Sequence, residues 1–261
     1  DERSWDVSPE CWRDPTPPRL LCKSFSPRAL RPREEWANDP PMLTLAQVLT
    51  PEDVGRVREG LAAIPFQDGK ATAGPIARKV KHNQQAVGAD PGAEPLRRFV
   101  RDALTRHPVF AAYARPAAWS RIMFSRYQLG DAYGVHTDDA FMAAEDGGRL
   151  RTDMSFTLFL SDPDTYEGGA LMLDGLDGER EHRPRAGDAV LYATGQLHQV
   201  TPVTRGERLA AVGWIESLVR RDDQRELLFD LERVRSATPA GDTRLLLDKS
   251  IGVLLRQWGN P

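Results

Sequence analysis

The sequence predicts an all-β core of the jelly-roll type with helices packed at its flanks, an α+β arrangement in class. Three observations carry that expectation. Six short runs rich in aromatic and β-branched residues follow one another between residues 121 and 217 with no helical period between them; Gly, Pro and Asp punctuate their joins; and amphipathic helical periods occur only before and after them. Strands spaced so closely pair antiparallel, because a parallel pair needs a crossover of about a dozen residues or more.

Residues 1–41 hold 8 of the 20 prolines and sustain neither period, so an irregular Pro-rich extension is expected there. Thr50-Pro51-Glu52-Asp53 reads as a helix entry, with Thr50 as N-cap, Pro51 in the first turn and Asp53 closing a capping-box-like pair. Val54, Val57, Leu61 and Ile64 then form one stripe. A second helix is expected over 94–107, where Leu96, Phe99, Val100, Ala103 and Leu104 share a face and His107-Pro108 ends it. Strands follow at 121–128, 153–160, 170–173, 189–194, 197–203 and 208–217. Residues 174–178 read as a hairpin turn, since they lack the spacing and terminal Glu of a calcium loop. From about residue 221, two helices close the chain, one through Leu227, Leu228, Leu231 and Val234, the other through Leu247, Ile251, Leu254, Leu255 and Trp258. One folded domain is thus expected over 42–261.

Composition narrows the function. Hydrophobic residues at 40% and charged residues at 28% of 261 describe a globular chain able to bury one sizeable core, not a disordered or fibrous one. A formal net charge of −3 gives no electrostatic reason to expect nucleic acid or a membrane as partner. The apolar stretch 209–215 is far below the roughly 18 residues a bilayer span needs. The only cysteines, Cys11 and Cys22, leave 23–261 without a disulfide framework or thiolate metal site. The opening Asp-Glu-Arg-Ser-Trp lacks the pattern of a secretory signal, so a reducing, cytoplasmic setting is expected. Neither a Gly-x-Ser-x-Gly elbow nor a Gly-x-Gly-x-x-Gly loop occurs, which speaks against nucleophilic hydrolysis and dinucleotide binding.

Two of the five histidines stand in suggestive company. His136-Thr137-Asp138 sets an imidazole and a carboxylate two residues apart, on one side of a strand, with Asp139 pointing the other way. His198 follows 62 residues later in another expected strand. Two histidines and one carboxylate form the facial triad that holds ferrous iron and leaves other positions open. His82, His107 and His182 are read instead as solvated or hydrogen-bonded side chains.

Arg208, ten positions after His198, is the fourth residue. A three-residue hairpin loop over 204–206, with Gly206 left-handed, would pair Arg208 with Pro202 and Val212 with His198, turning Arg208 inward; a two-residue loop would turn it outward as a surface ion pair. Tyr127 is either a hydrogen-bond donor into the same cavity or an amphipathic core tyrosine. Lys79, Lys81, Asn83 and Gln85 alternate along an extended segment, fitting either the polar wall of a cleft or an exposed edge strand.

Several of these segments resemble one family. Phe124-Ser125-Arg126-Tyr127, Tyr133-Gly134-Val135-His136-Thr137-Asp138, Tyr166-Glu167-Gly168-Gly169, Gly187-Asp188, Leu191-Tyr192, and the runs 157–163 and 198–206 are similar to the PKHD-type hydroxylases, bacterial iron- and 2-oxoglutarate-dependent oxygenases related to prolyl 4-hydroxylases. The likeness extends to 68–74, to Val80-Lys81-His82-Asn83-Gln84 and to Leu227-Leu228-Phe229-Asp230-Leu231, so it spans nearly all of 42–261.

The resemblance implies a double-stranded β-helix, with His136, Asp138 and His198 as Fe2+ ligands and Arg208 on 2-oxoglutarate, the cosubstrate. Tyr127 would add a hydrogen bond to the cosubstrate, and L-ascorbate is a candidate accessory reductant. The implied reaction hydroxylates a C–H bond of a peptide or amino-acid-like small molecule, releasing succinate and CO2. Asp138 fills the position that a halogenase of this fold leaves for chloride, which favours hydroxylation. Ferrous iron, Asp138 and a 2-oxoglutarate dianion together leave one negative charge that Arg208 would cancel. Asp139 stands where the family usually has Asn, Ala170 where it has Glu, and His82 where Asn is common; these departures bear on substrate choice. Two rivals remain: a non-catalytic, cupin-like iron-binding or sensing protein, which has no use for a buried Arg208, and an interaction module whose function lies in residues 1–41.

Overall fold

The computed structural model describes residues 42–260 except 73, 75, 76 and 177. The expected extension over 1–41, with both cysteines, lies outside the described residues. Strand β1 (Leu43–Leu45) leads into helix α1 (Pro51–Ala62), whose entry is the expected capping box. The Thr50 hydroxyl accepts from the Asp53 amide at 3.2 Å, and the Asp53 carboxylate accepts from the Thr50 amide at 3.3 Å. Val54, Val57, Leu61 and Ile64 are buried, as the stripe requires.

Helix α2 (Ala93–Arg106) stands where a helix was expected, and helix α3 (Pro108–Ala114), which was not expected, follows it. His107-Pro108 does end α2, but Pro108 also opens α3, because a missing N–H costs nothing in a first helical turn. His107 caps α3 through Nδ1, which accepts from the Phe110 amide at 3.4 Å. Helices α4 (Asp222–Ala237) and α5 (Asp242–Trp258) close the chain. Leu228 and Ile251 pack on Val219 with Leu231, Leu247, Leu254, Leu255 and Trp258 beside them, whereas Leu227 and Val234 are exposed.

Strands β2 (Phe66–Asp68), β3 (Lys81–His82), β4 (Gln84–Ala86) and β5 (Pro116–Trp119) precede the main β run. That run begins with β6 (Met123–Tyr127), β7 (Ala132–His136), β8 (Phe141–Ala143), β9 (Arg149–Arg151) and β10 (Met154–Phe159). It continues through β11 (Glu167–Gly168), β12 (Leu171–Gly175), β13 (Gly178–His182) and β14 (Ala189–Ala193). It ends with β15 (His198–Val200), β16 (Val203–Arg205) and β17 (Arg208–Ser217).

The major sheet runs β1-β14-β10-β17-β6-β4-β2, with β5 on β17, and the minor sheet runs β13-β12-β15-β7-β3. Their ladders are antiparallel throughout. This is the double-stranded β-helix core with flanking helices. Gly175 pairs with Gly178, closing the expected hairpin between β12 and β13. The outer face of the major sheet, with Phe124, Phe156, Leu158 and Leu191, joins Val57, Val100, Leu104 and Phe110 of the first three helices in the largest core cluster.

One pairing differs from the expectation. The segment 197–203 does not hairpin with 208–217: β15 and β17 lie in different sheets, and β16 pairs with β11 instead. Arg208 faces Tyr127 rather than Pro202; His198 faces His136 and Leu173 rather than Val212. The chain changes sheets between His198 and Arg208, and Gly206 makes the corner with φ +74°. A β-carbon on Gly206 would also lie 2.3 Å from the Thr165 carbonyl oxygen. Strained backbone and a clash with main chain together make Gly206→Ala destabilising by about 2 kcal/mol or more, measurable as a lowered urea midpoint.

Candidate active site

A cavity of about 370 Å3 lies between the two sheets, lined by residues of both. The alternation of β17 decides what reaches it. Leu209, Ala211 and Ile215 enter the helix-covered core, whereas Arg208, Val212 and Trp214 line the cavity. On β10, Met154, Phe156 and Leu158 belong to that core, while Ser155 and Thr157 line the cavity.

His136, Asp138 and His198 converge here, each offering one ligand atom within 4.8 Å of the others. The two imidazoles are cross-strand partners on β7 and β15, with ring centroids 4.2 Å apart. His136 Nδ1 lies 2.7 Å from the Gly134 carbonyl and His198 Nδ1 lies 3.0 Å from the Gln196 carbonyl. A carbonyl only accepts, so each Nδ1 carries the proton and each Nε2 presents a lone pair, the orientation a metal ligand needs. The two Nε2 atoms stand 3.7 and 3.6 Å from the Asp138 carboxylate oxygens, too far for hydrogen bonds and suited to donors around an ion. This donor set fits ferrous iron.

Asp138 lies beyond the end of β7. Its Oδ2 accepts from the Ser155 hydroxyl at 2.9 Å and from the Trp214 indole N–H at 2.8 Å, which aims the carboxylate at the imidazoles. Asp139 does not simply point away. The chain has left the strand, so Asp139 lines the same cavity with its side chain beside Gly74, while remaining exposed. Tyr133 stacks on His136 at 3.6 Å, and Tyr192 meets His198 edge-on at 5.2 Å.

Arg208 is buried, at 1% exposure, with its guanidinium about 5 Å from the rings of both Tyr127 and Phe159. Its Nε and Nη2 have no hydrogen-bond partner among the described residues. Buried cations ordinarily sit beside an anion, so the cavity end at Arg208 is built for an anionic ligand. Tyr127 is buried beneath it, and burial pushes the phenol up, keeping it a protonated donor. Lys81, Asn83 and Gln85 form the polar wall of the cavity, while Lys79 is exposed. Ser155 and Trp214 were not singled out from sequence, and Tyr133 and Tyr192 stood there only within the family-like motifs, without a role. Ser155 and Thr157, alternating with apolar residues in a fully buried strand, were the available signal.

Burial and the neighbouring His198 push His136 down to about 4. The unfolded chain therefore binds more protons than the folded one between about pH 6.5 and 4, and folded stability falls as pH drops through that window. Chelator-treated protein should show a declining melting temperature from pH 6.5 to 4, with a shallower slope in His136→Gln.

Residues 122–216 match the family model described as the 2OG-Fe(II) oxygenase superfamily. A PKHD-type hydroxylase of Maricaulis maris is 52% identical over 221 residues, covering 83% of this chain and 98% of the relative. A PKHD-type hydroxylase of Acaryochloris marina is 44% identical over 224 residues, covering 83% and 99%. Among solved structures, the non-haem α-ketoglutarate-dependent epimerase SnoN from nogalamycin biosynthesis shares the fold, with a TM-score of 0.51 at 13% identity over 70% of this chain and 80% of that one. Matching such relatives over almost their whole length, the chain belongs to the PKHD-type hydroxylases, a family of 2-oxoglutarate- and iron-dependent oxygenases.

Proposed function

We propose that this oxygenase hydroxylates a C–H bond of a peptide or amino-acid-like substrate, converting 2-oxoglutarate and O2 to succinate and CO2 as one oxygen atom enters the product. In this reading His136, Asp138 and His198 hold Fe2+, Arg208 grips the distal carboxylate of 2-oxoglutarate, and the Tyr127 hydroxyl points a donor toward the same ligand. L-ascorbate is assigned as the accessory reductant, on the family likeness alone.

The observation that carries the reading is Arg208: a buried guanidinium with unpartnered N–H groups, in the same cavity as three convergent ligand atoms. A dicarboxylate that reaches from the triad to Arg208 satisfies both ends at once, and the planar fork favours a two-oxygen anion. A non-catalytic iron-binding protein would leave that cation without purpose.

Bound ferrous iron supplies the redox chemistry that splits 2-oxoglutarate and oxidises the substrate. The chain's own residues do the rest. Nδ1–H bonds to backbone carbonyls hold both imidazoles in the ligating tautomer, Ser155 and Trp214 aim Asp138, and Phe159, Tyr127 and Val200 exclude water around the cosubstrate end.

Succinate release from 2-oxoglutarate, dependent on added Fe2+ and abolished in His198→Ala, is the expected result; an active His198→Ala protein refutes the ligand assignment. Arg208→Ala should weaken 2-oxoglutarate binding by about 2–5 kcal/mol while the metal site persists. Trp214→Phe removes one hydrogen bond from Asp138 and should lower Fe2+ affinity about 10- to 100-fold, read by anaerobic metal titration.

A further inference from the structure

The cavity holds a second buried cation that the proposed reaction leaves unused. Lys81 is 4% exposed, lines the cavity, and its Nζ donates to the Thr72 hydroxyl at 3.2 Å while standing 5.0 Å over the Tyr133 ring. The Thr72 hydroxyl donates in turn to Gln85 Oε1, so the ammonium is held at the end of a hydrogen-bonded chain. Among the described residues no carboxylate forms an ion pair with it. Burial pushes the amine down to about 8, against the attraction of Asp138 and of the exposed Asp68.

Two residues further on, Asn83 is 5% exposed and lines the same cavity, with its side-chain amide beside the Tyr127 phenol. Asn83 stands between β3 and β4, where the chain passes from the minor to the major sheet, and both side chains line the cavity, so the cationic and amide groups form a two-point surface. Charge bookkeeping separates this surface from the cosubstrate end. Fe2+, Asp138, Arg208 and a 2-oxoglutarate dianion sum to zero, so Lys81 adds one uncompensated positive charge. Asp139 at the cavity wall is exposed, where water screens it. A buried ammonium with no ion-paired carboxylate among the described residues is costly unless an anionic ligand completes it.

We infer that Lys81 anchors a carboxylate of the primary substrate, with Asn83 bonding an adjacent amide, so that the substrate class is an N-acylated amino acid or the C-terminal end of a peptide. This rests on the oxygenase reading above, with Arg208 rather than Lys81 holding 2-oxoglutarate.

The test is anaerobic calorimetry of the Fe2+- and 2-oxoglutarate-loaded protein against N-acetyl amino acids and N-acetyl dipeptides, each as free acid and as primary amide. Acids should bind at least about 10-fold more tightly than their amides. In Lys81→Met, or Lys81→Gln should the first fail to fold, acid affinity should fall roughly 30-fold or more, erasing the preference, whereas Lys81→Arg should retain it. Equal binding of acids and amides, no binding of any acid, or an unchanged preference in the neutral variants overturns the proposal. So does a neutral variant that loses 2-oxoglutarate affinity and keeps its acid preference, because the ammonium then serves the cosubstrate. Wild-type protein that releases no succinate from 2-oxoglutarate defeats the oxygenase assignment itself, a separate failure.

Discussion

The centre of this molecule depends on how one carboxylate is held. Asp138 follows the last residue of β7 in the minor sheet, yet its Oδ2 is bonded by Ser155 of β10 and Trp214 of β17 in the major sheet. Ser155 and Trp214 are themselves cross-strand partners, so a single rung of the major sheet presents both donors together. These two hydrogen bonds tie one sheet to the other at the end of the cavity where His136, Asp138 and His198 converge. Those bonds to Oδ2 offset part of the cost of burying the carboxylate there.

The rest of the cavity follows from a division of labour along each strand. The helix-covered face of the major sheet contributes Phe124, Phe156, Leu158 and Ala211 to the large core, where burial of apolar surface contributes about 25 cal/mol per Å2. The opposite face carries groups the fold does not satisfy by itself, above all Arg208. Uncompensated buried charges cost several kcal/mol each, and the apolar face offsets that cost. Ligands that complete these groups bind only the folded chain, so they return stability by mass action.

Much of this was legible in the sequence, for identifiable reasons. The capping box of α1 is local, and so it reads directly from Thr50 and Asp53. His136 and His198 were legible as strand residues, whereas Asp138 lies two residues past the end of β7 and reaches the site through Ser155 and Trp214 rather than through strand alternation. Arg208 faces inward as expected, though through a different ladder: its partner is Tyr127, not Pro202. Strand parity fixes the face, whereas the partner depends on where the chain changes sheets, a long-range outcome. Pro108 was read as a stop because the same residue type ends one helix and begins the next. Strands of two or three residues, such as β3 and β8, contain too few positions for any period to show. Trp214 and Tyr133 carried no role in the sequence reading, because only coordinates reveal that the indole N–H reaches Asp138 and that the phenol ring lies on His136.

His136 and His198 occupy the same rung of one backbone ladder, and each ring is pinned by a carbonyl two residues before it in its own chain segment. The spacing of the imidazoles is therefore a property of main-chain geometry and owes little to the side chains packed around them. An ion bound there would meet two imidazoles oriented by main chain and one carboxylate oriented by side chains of the facing sheet.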